Sequence, residues 1–150
     1  MKVLVLAQGS GRRWDGYLGG PKQLVVQVDG EAVLARTVRL LRERGVSDVV
    51  VVGPDARFEV PGARLVTLDS TEVTGCDMDK FLATRHLWAE DRRTVLMWGD
   101  CFYSAAAIDS IVGHEGDSLH YWRRPGPSAV TGHRWDESFA VSFGAGEQAR

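Results

Sequence analysis

A chain of 150 residues, 44% of them hydrophobic, can bury one substantial core and is too short for two ordinary domains, so a single domain is expected over 1–150. Its 18 basic and 20 acidic residues leave a net charge of −2, which argues against a nucleic-acid groove or an anionic membrane surface and leaves any phosphate affinity to local arrangement. Cys76 and Cys101 are the only two cysteines; they form neither a CxxC pair nor a disulfide framework, and a reducing cytoplasm is the setting this implies.

Taken in chain order, Lys2 to Ala7 is a β-branched and leucine run ended by glycine, the pattern of a strand buried on both faces. It is too short for a signal-peptide core, and no segment approaches transmembrane length. The run empties into Gly9-Ser10-Gly11-Arg12-Arg13. Glycines there allow backbone N–H groups to converge on an anion, and the arginines add charge where phosphate oxygens would sit. Lys22 follows at loop distance, within Pro21-Lys22-Gln23-Leu24.

Val25 to Val28 reads as a strand running into an Asp29-Gly30 turn. From Ala32 to Arg44, Leu34, Val38 and Leu41 recur at helical spacing among arginines, predicting an amphipathic helix closed by Gly45. Val49–Val52, Arg64–Thr67 and Thr94–Trp98 are further strands. Asp77 to Trp88 is expected to be helical, with Met78, Phe81, Leu82 and Leu87 on one stripe, and a last helix covers Ala105–Val112. Beyond Gly113 the pattern loosens into strands at Leu119–Trp122 and Phe139–Phe143, separated by a Pro/Gly-rich loop from Arg124 to Gly132. Alternating strands and helices predict an α/β fold, a three-layer α/β/α arrangement around a mostly parallel mixed sheet.

In such a sheet, ligands bind at the carboxyl edge. The Gly9–Arg13 turn leaves the first strand there, and Trp98-Gly99-Asp100 leaves the strand Thr94–Trp98. One loop offers phosphate donors and the other a carboxylate able to hold Mg²⁺. Competing motifs fail on particular residues. Trp14 stands where a dinucleotide fingerprint needs its third glycine, and Lys22 follows proline where a Walker loop has glycine. Gln8 removes the first glycine of a GxSxG elbow. His86, His114, His120 and His133 show no metal-ligand spacing. Asp77-Met78-Asp79 spells the DxD of sugar transferases but precedes a helix, where Asp77 serves as a cap. Tyr121, Trp122, Trp135 and Phe139, near Glu137, could box a cationic acceptor or form core beneath a loop.

The segments LAQGSGRRW, PKQL, RERGVSDVVVV and VLMWGD, in this order, resemble the nucleotidyltransferase branch of the glycosyltransferase-A fold. That group holds sugar-phosphate nucleotidylyltransferases, the cytidylyltransferase of isoprenoid synthesis and molybdenum-cofactor guanylyltransferases. The resemblance spans about residues 1–112, the expected nucleotide-binding core, and leaves 113–150 as a shortened acceptor side. It implies that Ala7, Gln8, Gly9, Ser10, Gly11 and Arg12 line the nucleotide, the Gly9–Gly11 turn cradling its phosphates. Arg13 and Lys22 would neutralise charge about the α-phosphate, Gly75 and Asp77 would meet base and ribose, and Asp100 would bind Mg²⁺. Arg13, Lys22 and Asp100 are then the catalytic set, serving attack of an acceptor phosphate on the α-phosphorus of an NTP with release of pyrophosphate.

Two departures stand out. The family has Ala or Gly at the position of Gln8, and many members carry a second acidic metal ligand late in a longer chain, a place that Asp136 or Glu137 could take. Two other functions remain open on these residues: a nucleotide-binding module without catalysis, and a glycosyltransferase using an NDP-sugar. An edge strand in the final third could pair with a second copy, giving a homodimer that completes the acceptor pocket.

Overall fold

The computed structural model describes residues 1–9, 14, 16–68, 77–129, 132 and 134–147. Its elements in chain order are β1 (Lys2–Leu6), a 3-10 turn (Tyr17–Gly19), α1 (Lys22–Val25), β2 (Gln27–Val28), β3 (Glu31–Ala32), α2 (Val33–Glu43), β4 (Asp48–Gly53), β5 (Arg64–Thr67), α3 (Asp77–Ala83), β6 (Thr94–Trp98), α4 (Ala105–Val112), β7 (His120–Arg124) and β8 (Glu137–Phe143), with further 3-10 turns at Ala56–Phe58, Arg85–Leu87 and Ala145–Glu147. The main sheet runs β5-β4-β1-β6-β8-β7. Its first four strands are mutually parallel; β8 is antiparallel to β6, and β7 to β8.

The apolar run at the start becomes the central strand because it has hydrophobic cover on both sides. Val3 and Val5 pack with Leu34, Val38 and Leu41 of α2 and Ile108 and Ile111 of α4. Leu4 and Leu6 face the other way, among Val50, Val52, Leu96, Val141 and Phe143, where Leu87 and the partly buried Phe81, Trp88 and Trp98 close the layer. Helices therefore cover both faces of a mixed, mostly parallel sheet, and the three-layer expectation holds. The second cover is thinner, being the seven-residue α3 and the turn at Arg85–Leu87.

In α2 the stripe of Leu34, Val38 and Leu41 is fully buried, and the helix ends where Gly45 adopts φ +78°, a left-handed conformation that favours glycine. Two local expectations need correction. Val25–Val28 is not one strand: Pro21, with φ −60°, starts a helical turn in which Val25 N–H donates to the Pro21 carbonyl (3.1 Å). Of these four residues only Gln27–Val28 pairs as a strand, in a two-residue hairpin with Glu31–Ala32 around Asp29 and Gly30, both at positive φ, as a tight hairpin turn requires. The helix expected over Asp77–Trp88 stops at Ala83. The buried Thr84 hydroxyl donates to the Phe81 carbonyl (2.8 Å) and accepts from the Trp88 indole N–H (3.2 Å), so its side chain competes with the helical ladder.

The last two strands are displaced from their expected bounds. β7 runs to Arg124, past a register shift between Trp122 and Arg123, and β8 begins at Glu137. The four aromatics of the tail do not form one box. Neighbouring residues of a strand point to opposite faces, so Tyr121 is exposed while Trp122 packs against the α2–α4 core and donates to the Ser110 hydroxyl (3.2 Å).

Candidate functional site

Three strands end together at the carboxyl edge. Ala7 N–H donates to the Val52 carbonyl at the end of β4 (2.7 Å), and Gly99 N–H donates to the Leu6 carbonyl at the end of β1 (2.8 Å). A Cβ at position 99 would lie 3.0 Å from Ala7 Cβ and 3.1 Å from the Leu6 carbonyl oxygen. Glycine thus lets the turn after β6 lie against the exit of β1, which brings Asp100 beside the start of the glycine-rich segment.

Lys22 arrives from another direction. It opens α1, whose Gln23 is buried and whose Leu24 packs on the α2–α4 core. From there the Lys22 ammonium forms an ion pair with the Asp100 carboxylate, each side chain 33% exposed. Two residues distant in sequence and opposite in charge therefore meet at the carboxyl edge, open to solvent and within reach of a ligand.

The segment carrying Asp100 is held from three sides. The Arg36 guanidinium donates to the Tyr103 carbonyl (2.5 Å) and lies 4.6 Å above the Phe102 ring. Ser104 caps α4 by accepting from Ala107 N–H (3.2 Å). The buried Tyr103 hydroxyl accepts from Trp98 N–H (3.1 Å) and donates to the Phe139 carbonyl (2.6 Å), joining the end of β6 to the start of β8. Burial holds the Tyr103 phenol well above its ordinary range. Cys101 is pushed up to about 12, by burial first and the Asp100 charge second. Its thiol is therefore protonated at neutral pH, which suits a packing role better than a reactive one.

The two carboxylates that sequence could not separate have different surroundings. Asp136 binds Arg123 and accepts from Gly126 N–H (2.9 Å), so it is engaged in the loop between β7 and β8. Glu137 accepts from Arg124 (2.6 Å), and its charge also acts on the Cys101 thiol, as do those of Asp100 and Lys22. Glu137 is thus the one on the site's side.

On the opposite face, Trp98 stacks on Phe81 of α3, with ring centroids 5.0 Å apart and planes at 16°. The Lys80 ammonium lies 5.5 Å from the Trp98 ring centroid. Ala7 is buried, Gly9 is exposed, and Asp77 begins α3. The Gln8 amide is buried, and neither its nitrogen nor its oxygen has a hydrogen-bond partner among the described residues. The expectations for Ser10, Gly11, Arg12, Arg13 and Gly75 lie outside the described residues.

Other features escaped sequence reasoning because they depend on how distant elements pack. The His114 and His120 rings lie 4.2 Å apart, both against Trp122. Among the described residues no three His, Cys, Asp or Glu side chains gather as a metal site. A cleft of about 370 Å³ includes Arg93, Asp117 and Ser118 and opens at the amino edge of the sheet, where Lys2 N–H bonds the Arg93 carbonyl. It is remote from Asp100.

Residues 3–127 match a family described as MobA-like NTP transferase domain. Among solved structures, the inositol-1-phosphate CTP transferase from T. maritima aligns with a TM-score of 0.67 at 14% identity, covering 99% of this chain and 72% of that one. The 2-C-methyl-D-erythritol 4-phosphate cytidylyltransferase from Thermus thermophilus aligns with a TM-score of 0.63 at 15% identity, covering 97% and 70%. A protein from Mycobacterium tuberculosis is similar at 23% identity, TM-score 0.66, covering 99% and 75%. At these identities the likeness is one of fold. No curated protein matches the sequence at a significant level.

Proposed function

Because the chain belongs to the MobA-like NTP transferase domain family, we propose that it transfers the nucleotidyl group of an NTP to a small phosphorylated acceptor, such as a sugar phosphate, and releases pyrophosphate. The observation that carries this reading is the Lys22–Asp100 ion pair at the carboxyl edge of β1 and β6. It puts a cation and a metal-binding type of carboxylate at one point, as charge stabilisation on a reacting phosphate requires.

Lys22 then turns from Asp100 to the phosphate oxygens around the α-phosphorus, with Arg13 as a second cation in this proposal. The Gly9–Gly11 turn, with Ala7, Gln8 and Arg12 beside it, receives the nucleotide. An oxygen of the acceptor phosphate forms a bond to the α-phosphorus. The bond from that phosphorus to its bridging oxygen breaks, and pyrophosphate leaves with the electron pair. Both reacting groups are phosphates, so no proton need move and no general base is called for.

The donor set suits Mg²⁺. This cation takes one or two carboxylates and completes its shell with phosphate oxygens and water, and Asp100, with Glu137 as the nearer second carboxylate, offers that many. Bound there, the ion would supply Lewis-acid charge to the phosphates. Residues 113–150 form the acceptor side of this proposal, and the edge strand β7 is where a second copy would add in a homodimer. No helix among the described residues is long and apolar enough to cross a membrane; a cytoplasmic setting is part of the proposal.

The test is a thermal-shift screen of the four NTPs and several NDP-sugars with and without Mg²⁺, followed by pyrophosphate release over a panel of sugar phosphates and related acceptors. Metal-dependent stabilisation by an NTP, with turnover, is the expected result. Stabilisation without turnover on any acceptor would leave a binding module, and preference for an NDP-sugar would indicate glycosyl transfer.

A further inference from the structure

We propose that the side-chain amide of Gln8 reads the base of the bound nucleotide, in a subsite walled by Trp98 and Phe81. The proposal rests on the nucleotidyl-transfer reading above and names which group selects the donor.

Placement is the first support. Val3, Val5 and Ala7 lie in the α2–α4 core, whereas Leu4 and Leu6 lie in the opposite one. The ladder continues past β1, since Ala7 N–H still bonds the Val52 carbonyl, so Gln8 is next on the Leu4–Leu6 face. Leu6 is in register with Trp98, whose half-buried ring stacks on Phe81. Lys22 comes from the other side, because the adjoining Leu24 belongs to the α2–α4 core. A nucleotide lying across the end of β1 with its phosphates at Lys22 would carry its base towards Gln8 and Trp98.

Chemistry is the second support. A buried amide with neither end paired makes the folded chain less stable than an apolar side chain would. At Gln8 both Nε2 and Oε1 are in that state among the described residues. A phosphate or a carboxylate only accepts, and would serve Nε2 while leaving Oε1 unpaired. A nucleobase edge carries a donor beside an acceptor and serves both, and its flat face suits an aromatic wall.

The experiment compares wild type with Gln8→Leu, measuring the melting temperature without ligand and the affinity for each of the four NTPs with Mg²⁺, with inorganic tripolyphosphate as the base-free probe. In Gln8→Leu the ligand-free melting temperature should stay level or rise. Its preference for the best NTP over the others should fall about tenfold or more, as expected when a hydrogen-bonding discriminator is lost, and tripolyphosphate affinity should hold. A lower melting temperature with unchanged base preference would give the amide a structural role and overturn the proposal. Should Gln8→Leu fail to fold, Gln8→Met, which keeps the length without the amide, carries the same expectations. Failure of the wild type to bind any NTP would end the nucleotidyl-transfer reading as well; undiminished discrimination in the variants would end only this one.

Discussion

Tyr103 shows how one side chain can hold a site it does not enter. Its hydroxyl takes a hydrogen bond from the main chain of β6 and gives one to that of β8, at 3% exposure. Tyr103→Phe would leave the Trp98 N–H and the Phe139 carbonyl without that partner. Each buried, unpaired group costs about 1–3 kcal/mol, so chemical denaturation should show a loss of at least about 1 kcal/mol, together with reduced turnover as Asp100 loses its support. Unchanged stability would mean that the hydroxyl bonds are not what ties these strands.

His114 gives a pH dependence of known sign. Burial, then the charges of His120 and Arg93, hold its imidazole below the ordinary value of 6.5, so the unfolded chain takes up a proton more readily than the folded one. The stability it contributes is complete above the unfolded value and is lost as pH falls through the folded one. The melting temperature should therefore rise from about pH 5 to about pH 7, and His114→Gln should flatten that rise. An equal slope in both proteins would assign the dependence to other groups.

At the scale of elements, the position of Asp100 depends on how tightly the turn after β6 lies against β1. Gly99→Ala would put a methyl 3.0 Å from Ala7 Cβ and 3.1 Å from the Leu6 carbonyl oxygen, and neither is the flexible end of a long side chain. Overpacking of this kind costs about 1–3 kcal/mol. Turnover should suffer more than the melting temperature indicates, because the displaced segment carries Asp100 away from Lys22. A Gly99→Ala protein with wild-type turnover would show that the close approach has no part in aligning the pair.

What sequence could reveal about the elements depended on length and on locality. β1 and β4 were legible as unbroken apolar runs, the mark of strands buried on both faces, and α2 because its eleven residues express their burial as a helical period. α1, at four residues, is too short to show a period, and it rests on Pro21, whose carbonyl accepts from Leu24 and Val25 N–H. The end of α3 was hidden because the Thr84 hydroxyl, invisible to a hydrophobic pattern, closes the helix. Lys22 and Asp100 could each be singled out, but their ion pair depends on α1 packing against α2 and on Gly99 admitting the turn. Which of Asp136 and Glu137 lies towards the site likewise depends on the loop from β7 to β8, where Gly126 N–H engages Asp136.

For the whole molecule, a four-strand parallel unit carries the carboxyl edge while β8 and β7 extend the sheet beside it, and Tyr103 and Glu137 stand where the two parts meet. The central claim, nucleotidyl transfer at the Lys22–Asp100 pair, is tested most directly by pyrophosphate release from the stabilising NTP and its acceptor in wild type, Asp100→Ala and Lys22→Ala. Asp100→Ala should lose about 100-fold or more and Lys22→Ala about tenfold or more, in the range for removal of groups that stabilise developing charge. Wild-type turnover in folded Asp100→Ala protein would contradict the claim.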